Sequence, residues 1–229
     1  MNEHPALQSL YPFLHGQAQD AQLLDRALLE SVQQKARDSA DTKRRFFERH
    51  GAAVVRVAHA IAGVYQRGGR LFTMGNGGSS CDASHIAVEF LHPVTAGRPA
   101  LPAVNLAADT AMLTAIGNDV GVAHVFVRPL IALARRGDGL IGVSTSGNSA
   151  NLLAAFEKAK ELGLVTIGLS GHDGGALARS DAVDFCLVVE SDSIHRVQET
   201  HVAAYHILWD LVHTLLADAR GQTGRGSGA

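Results

Sequence analysis

Leu140-Ile141-Gly142-Val143, then Ser144-Thr145-Ser146-Gly147-Asn148-Ser149, then Ala150-Asn151-Leu152-Leu153-Ala154-Ala155-Phe156-Glu157-Lys158-Ala159-Lys160 reads as a buried strand, a polar turn and a helix. The strand is apolar throughout, as a parallel strand covered on both faces should be. The turn gathers four hydroxyls, a glycine and an asparagine. The first amide N–H groups of a helix have no partners within it, and its dipole favours negative charge there. Hydroxyls collected at that point make an anion site. The turn contains no lysine, so it is not the lysine-bearing nucleotide loop. A phosphate monoester on a small molecule is the guest it fits. Ser149 as a simple helix cap is the plainer reading, but it leaves the other hydroxyls unexplained.

The same alternation extends outward on both sides. Further strands are expected at 70–74, 100–106, 165–169 and 184–189, with helices at 81–91, 109–116, 122–136, 150–160 and 193–219. Two more helices, 21–50 and 52–66, precede the first strand, and their apolar positions need a surface to cover, for which a second subunit is one candidate. The fold class is therefore α/β: a five-stranded parallel sheet flanked by helices on both faces, with extra N-terminal helices. Residues 1–50 are an N-terminal extension and helix, in which 1–20 are a loose lead-in; 51–219 form the main domain; 220–229 are a disordered glycine-rich tail.

Composition narrows the function classes. The chain is 46% hydrophobic and 18% charged, with a net charge of −2, which gives no electrostatic capture of nucleic acid or membrane. Apolar runs are of strand length, too short to span a bilayer. Cys81 and Cys186 lie far apart without metal or redox spacing, and the first residues carry no secretory pattern, so a reducing, cytoplasmic compartment is expected.

A second loop, Gly75-Asn76-Gly77-Gly78-Ser79-Ser80, also follows a strand. It starts like a dinucleotide fingerprint, but position 80 is Ser where the third glycine belongs, and no acid ends the next strand. The glycines instead let the backbone approach a polyol, with Asn76 offering its amide; serving only as a tight turn is the structural alternative. Both loops lie at carboxyl ends of strands, where such sheets bind ligands.

On the helix after that loop, His85 and Glu89 share a face, with Asp82 one turn earlier. On the last helix, Gln198 and His206 are eight residues apart, about 80° around the axis. Two imidazoles and two side-chain oxygens suit zinc or a similar divalent ion. Spacing alone does not choose His206 over His201, and His213 and His172 are further competitors.

The ordered set Gly75–Ser79 with Asp82, His85 and Glu89, then Asn118-Asp119, Ser144–Ser149 with Asn151, Asp173-Gly174-Gly175, and Gln198-Glu199 with His201 and His206 resembles the phosphoheptose isomerase family of the sugar isomerase (SIS) domain group. The resemblance covers about residues 50–218 and implies a flavodoxin-like SIS fold, a homotetramer with active sites at subunit interfaces, and a sugar-phosphate substrate. The implied reaction converts sedoheptulose 7-phosphate to D-glycero-D-manno-heptose 7-phosphate through an enediol. By the same resemblance Ser144, Thr145, Ser146 and Ser149 hold the phosphate, and Asn76, Gly77, Gly78, Asn118, Asp119 and Gln198 contact the sugar. One zinc ion per subunit is held by His85, Glu89, Gln198 and His206, and Glu89, which also meets the substrate, and His206 form the acid–base pair. The segment Leu91-His92-Pro93-Val94-Thr95-Ala96-Gly97 and His195 depart from the family's usual pattern. Two rival classes share the fold: a regulator resembling the DnaA initiator-associating protein, and a sugar-phosphate-sensing domain. Retention of all four ligands that the resemblance implies argues against the first, and the lack of a basic helix-turn-helix in residues 1–50 against the second.

Overall fold

The computed structural model describes residues 21–225. The expected lead-in at 1–20 and the last four residues of the expected tail lie outside the described residues. Two units are formed, one ending at Ala40 and one running from Asp41 onward. Among the described residues no helix is long and apolar enough to cross a membrane.

Helix α1 is Ala21–Gln66. It corrects the expectation of two helices divided near Gly51. A lone glycine inside a helical pattern costs only about 1 kcal/mol, and no capping residue stands beside it to end the first helix. Within the first unit α1 carries polar ladders such as Gln34 Nε2 donating to Asp38 at 2.8 Å, and leaves Leu28, Leu29 and Val32 exposed. Within the second unit it turns apolar, burying Val54, Val57, Ala58 and Ile61.

The sheet follows as β1 (Leu71–Gly75), β2 (Ala103–Asn105), β3 (Gly139–Ser144), β4 (Val165–Gly171) and β5 (Phe185–Val189). All neighbours pair in parallel, in the order β2-β1-β3-β4-β5. Strand β2 is shorter than expected because Pro102, just before it, has no N–H to give the ladder; its carbonyl still accepts from Leu71 N at 3.0 Å. The connecting helices are α2 (Gly78–Leu91), α3 (Thr110–Asp119), α4 (Val127–Leu133), α5 (Ala150–Glu161) and α6 (Ile194–Arg225). The single helix expected over 122–136 is instead a 3-10 turn, Val122–His124, followed by α4. Pro129 explains the break: its ring would clash with the carbonyl four residues back, so the helix restarts with Pro129 in its first turn. Helix α6 continues past the expected end at 219.

Alternate strand residues face opposite layers. Leu71, Ile141, Val143, Ile167 and Leu169 pack with Ile86, Phe90, Val197 and Leu208 beneath α1, α2 and α6. Phe72, Met74 and Leu140 pack with Phe126, Leu130, Leu152 and Phe156 beneath α4 and α5. In this strand order the direction of winding reverses between β1 and β3, and the carboxyl ends of those two strands flank the crevice where doubly wound sheets bind ligands. Gly75 and Val143 are register partners at that edge.

Candidate active site

The two polar loops rise side by side from β1 and β3, and an amide pair clasps them together. Asn76 Nδ2 donates to Asn151 Oδ1 at 2.8 Å, and Asn151 Nδ2 donates back to Asn76 Oδ1 at 2.9 Å. Asn151 is buried in the first turn of α5, whereas Asn76 is exposed at the tip of its loop. Each amide retains one N–H for a further partner, and Asn76 Oδ1 one lone pair; Asn151 Oδ1 also accepts from Leu152 N at 3.1 Å.

In the loop after β3, Ser149 occupies the N-cap position of α5 but makes no side-chain capping bond. Its hydroxyl lies 3.1 Å from the Ser144 hydroxyl instead. The cap-only reading of Ser149 is therefore overturned, and the hydroxyls face each other across the turn. Ser144 is buried and also accepts from Gly147 N at 3.2 Å, Thr145 is half-buried, and the exposed Ser146 accepts from Asn148 N at 3.3 Å. The turn is braced from behind by the segment after β4: Leu177 N donates to Gly147 O at 2.9 Å, and Ala176 N to Asn148 Oδ1 at 2.9 Å. Gly147 has φ 66°, and a Cβ there would stand 2.1 Å from Gly174 O, so only glycine fits.

In the loop after β1, Gly77 caps α2 with φ 54°. Gly78 has a different reason: a Cβ there would meet the Gln198 amide nitrogen at 2.5 Å. The half-buried Gln198 of α6 thus lies against the backbone where α2 begins.

Further along, α2 and α6 bring three donors together. His85 Nε2 lies 3.1 Å from Glu89 Oε1 and 3.4 Å from His206 Nε2, and all three ligand atoms fall within 4.8 Å of one another. Glu89 and His85 are half-buried and His206 is exposed. Two Nε2 atoms that face each other repel unless a proton or cation lies between them, and a carboxylate beside them adds negative charge. This donor set fits zinc or a similar divalent ion. The other nitrogen of His85, Nδ1, lies 2.8 Å from the Tyr205 hydroxyl. Burial first, then the nearby Asp82 and Glu89 carboxylates, hold that phenol protonated. Asp82 is buried with Oδ2 unpartnered; burial pushes its carboxyl up to about 6 against a smaller opposing pull from His85. Trp209 Nε1 donates to Glu89 O at 2.8 Å, fixing the end of α2 on α6.

The competing histidines are resolved by where α6 faces. His201 is 1% exposed and its Nε2 donates to Ser170 O of β4 at 3.0 Å; burial lowers its pKa to about 4. It is a core histidine that pins α6 to the sheet. His213 is also buried, stacked on Phe90. His172 sits at φ 55° beside Asp192. The departing segment 91–98 is anchored by Arg98, which pairs with Asp210 and lies 4.4 Å over the Trp209 ring. Asn118 and Asp119 are exposed at the end of α3, where Asn118 Nδ2 donates to Asp119 Oδ1 at 2.8 Å, and neither forms a hydrogen bond to the two loops. Sequence reasoning missed Tyr205, which points about 100° around the helix from His206 and reads as part of the apolar stripe.

Comparison with known proteins agrees with this architecture. Residues 36–171 match the SIS domain family. A phosphoheptose isomerase of Roseiflexus sp. (strain RS-1) is 44% identical over 178 residues, 78% of this chain and 89% of the relative. That of Aquifex aeolicus is 39% identical, over 83% of this chain and 99% of the relative. Among solved structures, a phosphoheptose isomerase from Francisella tularensis superimposes with a TM-score of 0.77 at 32% identity, covering 81% of this chain and 98% of that one. The phosphoheptose isomerase of Neisseria gonorrhoeae gives 0.76 at 36% identity, covering 82% and 99%.

Proposed function

The chain belongs to the phosphoheptose isomerase family of SIS-domain proteins, and from that premise we propose that it converts sedoheptulose 7-phosphate to D-glycero-D-manno-heptose 7-phosphate, at the entry to heptose biosynthesis. The observation that carries this reading is the convergence of His85, Glu89 and His206 on helices that flank the clasped loops. A binding-only regulator has no use for that donor set.

The reaction moves a proton between C1 and C2 through an enediol and exchanges protons at the oxygens. It requires a base at carbon, a proton donor at oxygen and stabilisation of the enediolate charge. Glu89 is the base and His206 its partner. Ser144, Thr145, Ser146 and Ser149 hold the phosphate. Asn76, Gly77, Gly78 and Gln198 contact the sugar chain, joined by Asn118 and Asp119. His85, Glu89, Gln198 and His206 would hold one zinc ion per subunit, which would supply Lewis-acid polarisation of the carbonyl oxygen. The enzyme works in the cytoplasm as a homotetramer, in which a neighbouring subunit would cover exposed apolar side chains such as Val88 and Leu91 of α2 and Ile207 of α6.

The test is proton exchange at C1 and C2 of sedoheptulose 7-phosphate, followed by NMR in heavy water with zinc added. Deuterium incorporation with appearance of the aldose is the expected result. No exchange from folded, zinc-loaded protein would overturn the assignment.

A further inference from the structure

We propose that Tyr205 is a positioning residue of the donor set: its hydroxyl holds His85 through Nδ1 so that the ring can present Nε2 to Glu89 and His206 in either of its neutral tautomers. The inference rests on the metal reading proposed above.

A neutral imidazole carries one proton, and the nitrogen that holds it dictates what the other can do. With a proton on Nε2, His85 donates to Glu89 Oε1 at 3.1 Å, and Nδ1 must accept. The Tyr205 O–H, 2.8 Å away, supplies that donor. To ligate a cation through Nε2 the ring must carry its proton on Nδ1 instead: one proton leaves Nε2, one arrives at Nδ1, and the ring's charge is unchanged. Nδ1 then needs an acceptor at the same place. A hydroxyl serves both states by turning about its C–O bond; a carboxylate could only accept, and a backbone N–H could only donate.

Tyr205 is itself fixed. It is 3% exposed, and its ring meets the edges of His85 and His206 with centroids 5.3 Å and 4.9 Å away. Because it precedes His206 on α6, one short stretch of helix carries both the holder of one imidazole and the second imidazole. The distance between the two donor nitrogens is thereby set by α6. Partners of this kind, one bond away from a ligand, commonly contribute 10–100-fold in metal affinity.

The experiment compares zinc affinity of the full chain and its Tyr205→Phe variant by competition with a chromophoric chelator. The phenyl ring keeps the packing and removes only the oxygen. Zinc binding about 10–100-fold weaker in the variant, with an unchanged melting temperature of the metal-free protein, is expected. A second measurement needs no variant: nitrogen-15 NMR of the histidine rings in the wild type should show His85 changing from the Nε2–H to the Nδ1–H tautomer as zinc is added. Stoichiometric zinc in the wild type with equal affinity in the variant, or no tautomer change on loading, overturns the role of Tyr205 alone. A wild type that takes up no zinc overturns the metal reading together with this inference.

Discussion

Asn76 and Asn151 hold each other by two reciprocal amide hydrogen bonds, 2.8 Å and 2.9 Å, although they are 75 positions apart in the chain. The pair fixes the spacing between the two polar loops independently of any ligand. Asn151→Ala should cost about 1–2 kcal/mol, because it leaves Asn76 without its partner and removes a buried amide. It should also raise KM for the sugar phosphate. Denaturant melts of Asn76→Ala, Asn151→Ala and the double variant test this; strictly additive losses would mean that the clasp carries no coupling.

Glu89→Gln keeps the size of the side chain and removes its basicity. Turnover is expected to fall by ~10²–10⁴ with the fold intact. Single-turnover assays decide it, and undiminished rates would take Glu89 out of the proton transfer.

Ser149 makes no side-chain capping bond and only the 3.1 Å hydroxyl contact with Ser144, so Ser149→Ala should cost no more than the roughly 0.5–1.5 kcal/mol of one neutral hydrogen bond. Affinity for the phosphosugar should drop about tenfold, the scale of one hydrogen bond to a charged group. Calorimetric binding beside a thermal melt separates the two effects. Lost stability with retained affinity would restore the capping role.

Gly78 has no positive φ, yet its Cβ position lies 2.5 Å from the Gln198 amide. Gly78→Ala should fold normally and push Gln198 aside. A loss of at least about tenfold in zinc affinity or turnover is expected, on the scale of a displaced ligand neighbour. Wild-type values for both would show that Gln198 takes no part in the site.

His201 is buried and neutral, with its pKa lowered to about 4 by burial. The unfolded chain, with a histidine near 6.5, binds the extra proton over the interval between these values, so its contribution to stability is complete above about pH 6.5 and lost as pH falls toward 4. At pH 5 the loss attributable to this site is about 2 kcal/mol. Urea titrations at pH 8 and pH 5 should show His201→Gln losing that much less than the wild type. Equal losses would place the pH sensitivity elsewhere.

The strand-turn-helix at 140–160 and the presence of five parallel strands were legible because parallel strands buried on both faces are apolar throughout and their turns are not. The polar turn at 144–149 was legible for the same reason. The choice between His201 and His206 was not, since it depends on which side of α6 meets β4, and five residues on a helix, about 140° around its axis, carry a side chain from the sheet to the donor cluster. The break before α4 could have been read from Pro129. The continuity of α1 through Gly51 could not, because a glycine ends a helix only when the residues around it supply a cap. Tyr205 left no local signal: its partner, His85, is 120 positions away.

That separation has a consequence for how the protein is made. His85 and His206 are 121 positions apart, and α6 leaves the ribosome after every strand. Both polar loops and their clasp belong to the part of the chain synthesised first, but the core face beside them is closed by Val197, Ala204 and Leu208 of α6. Because a domain folds as a unit, a nascent chain stalled before Ile194 lacks both His206 and the packing that seats α2. The cluster of His85, Glu89 and His206 therefore comes into being only when the last helix docks.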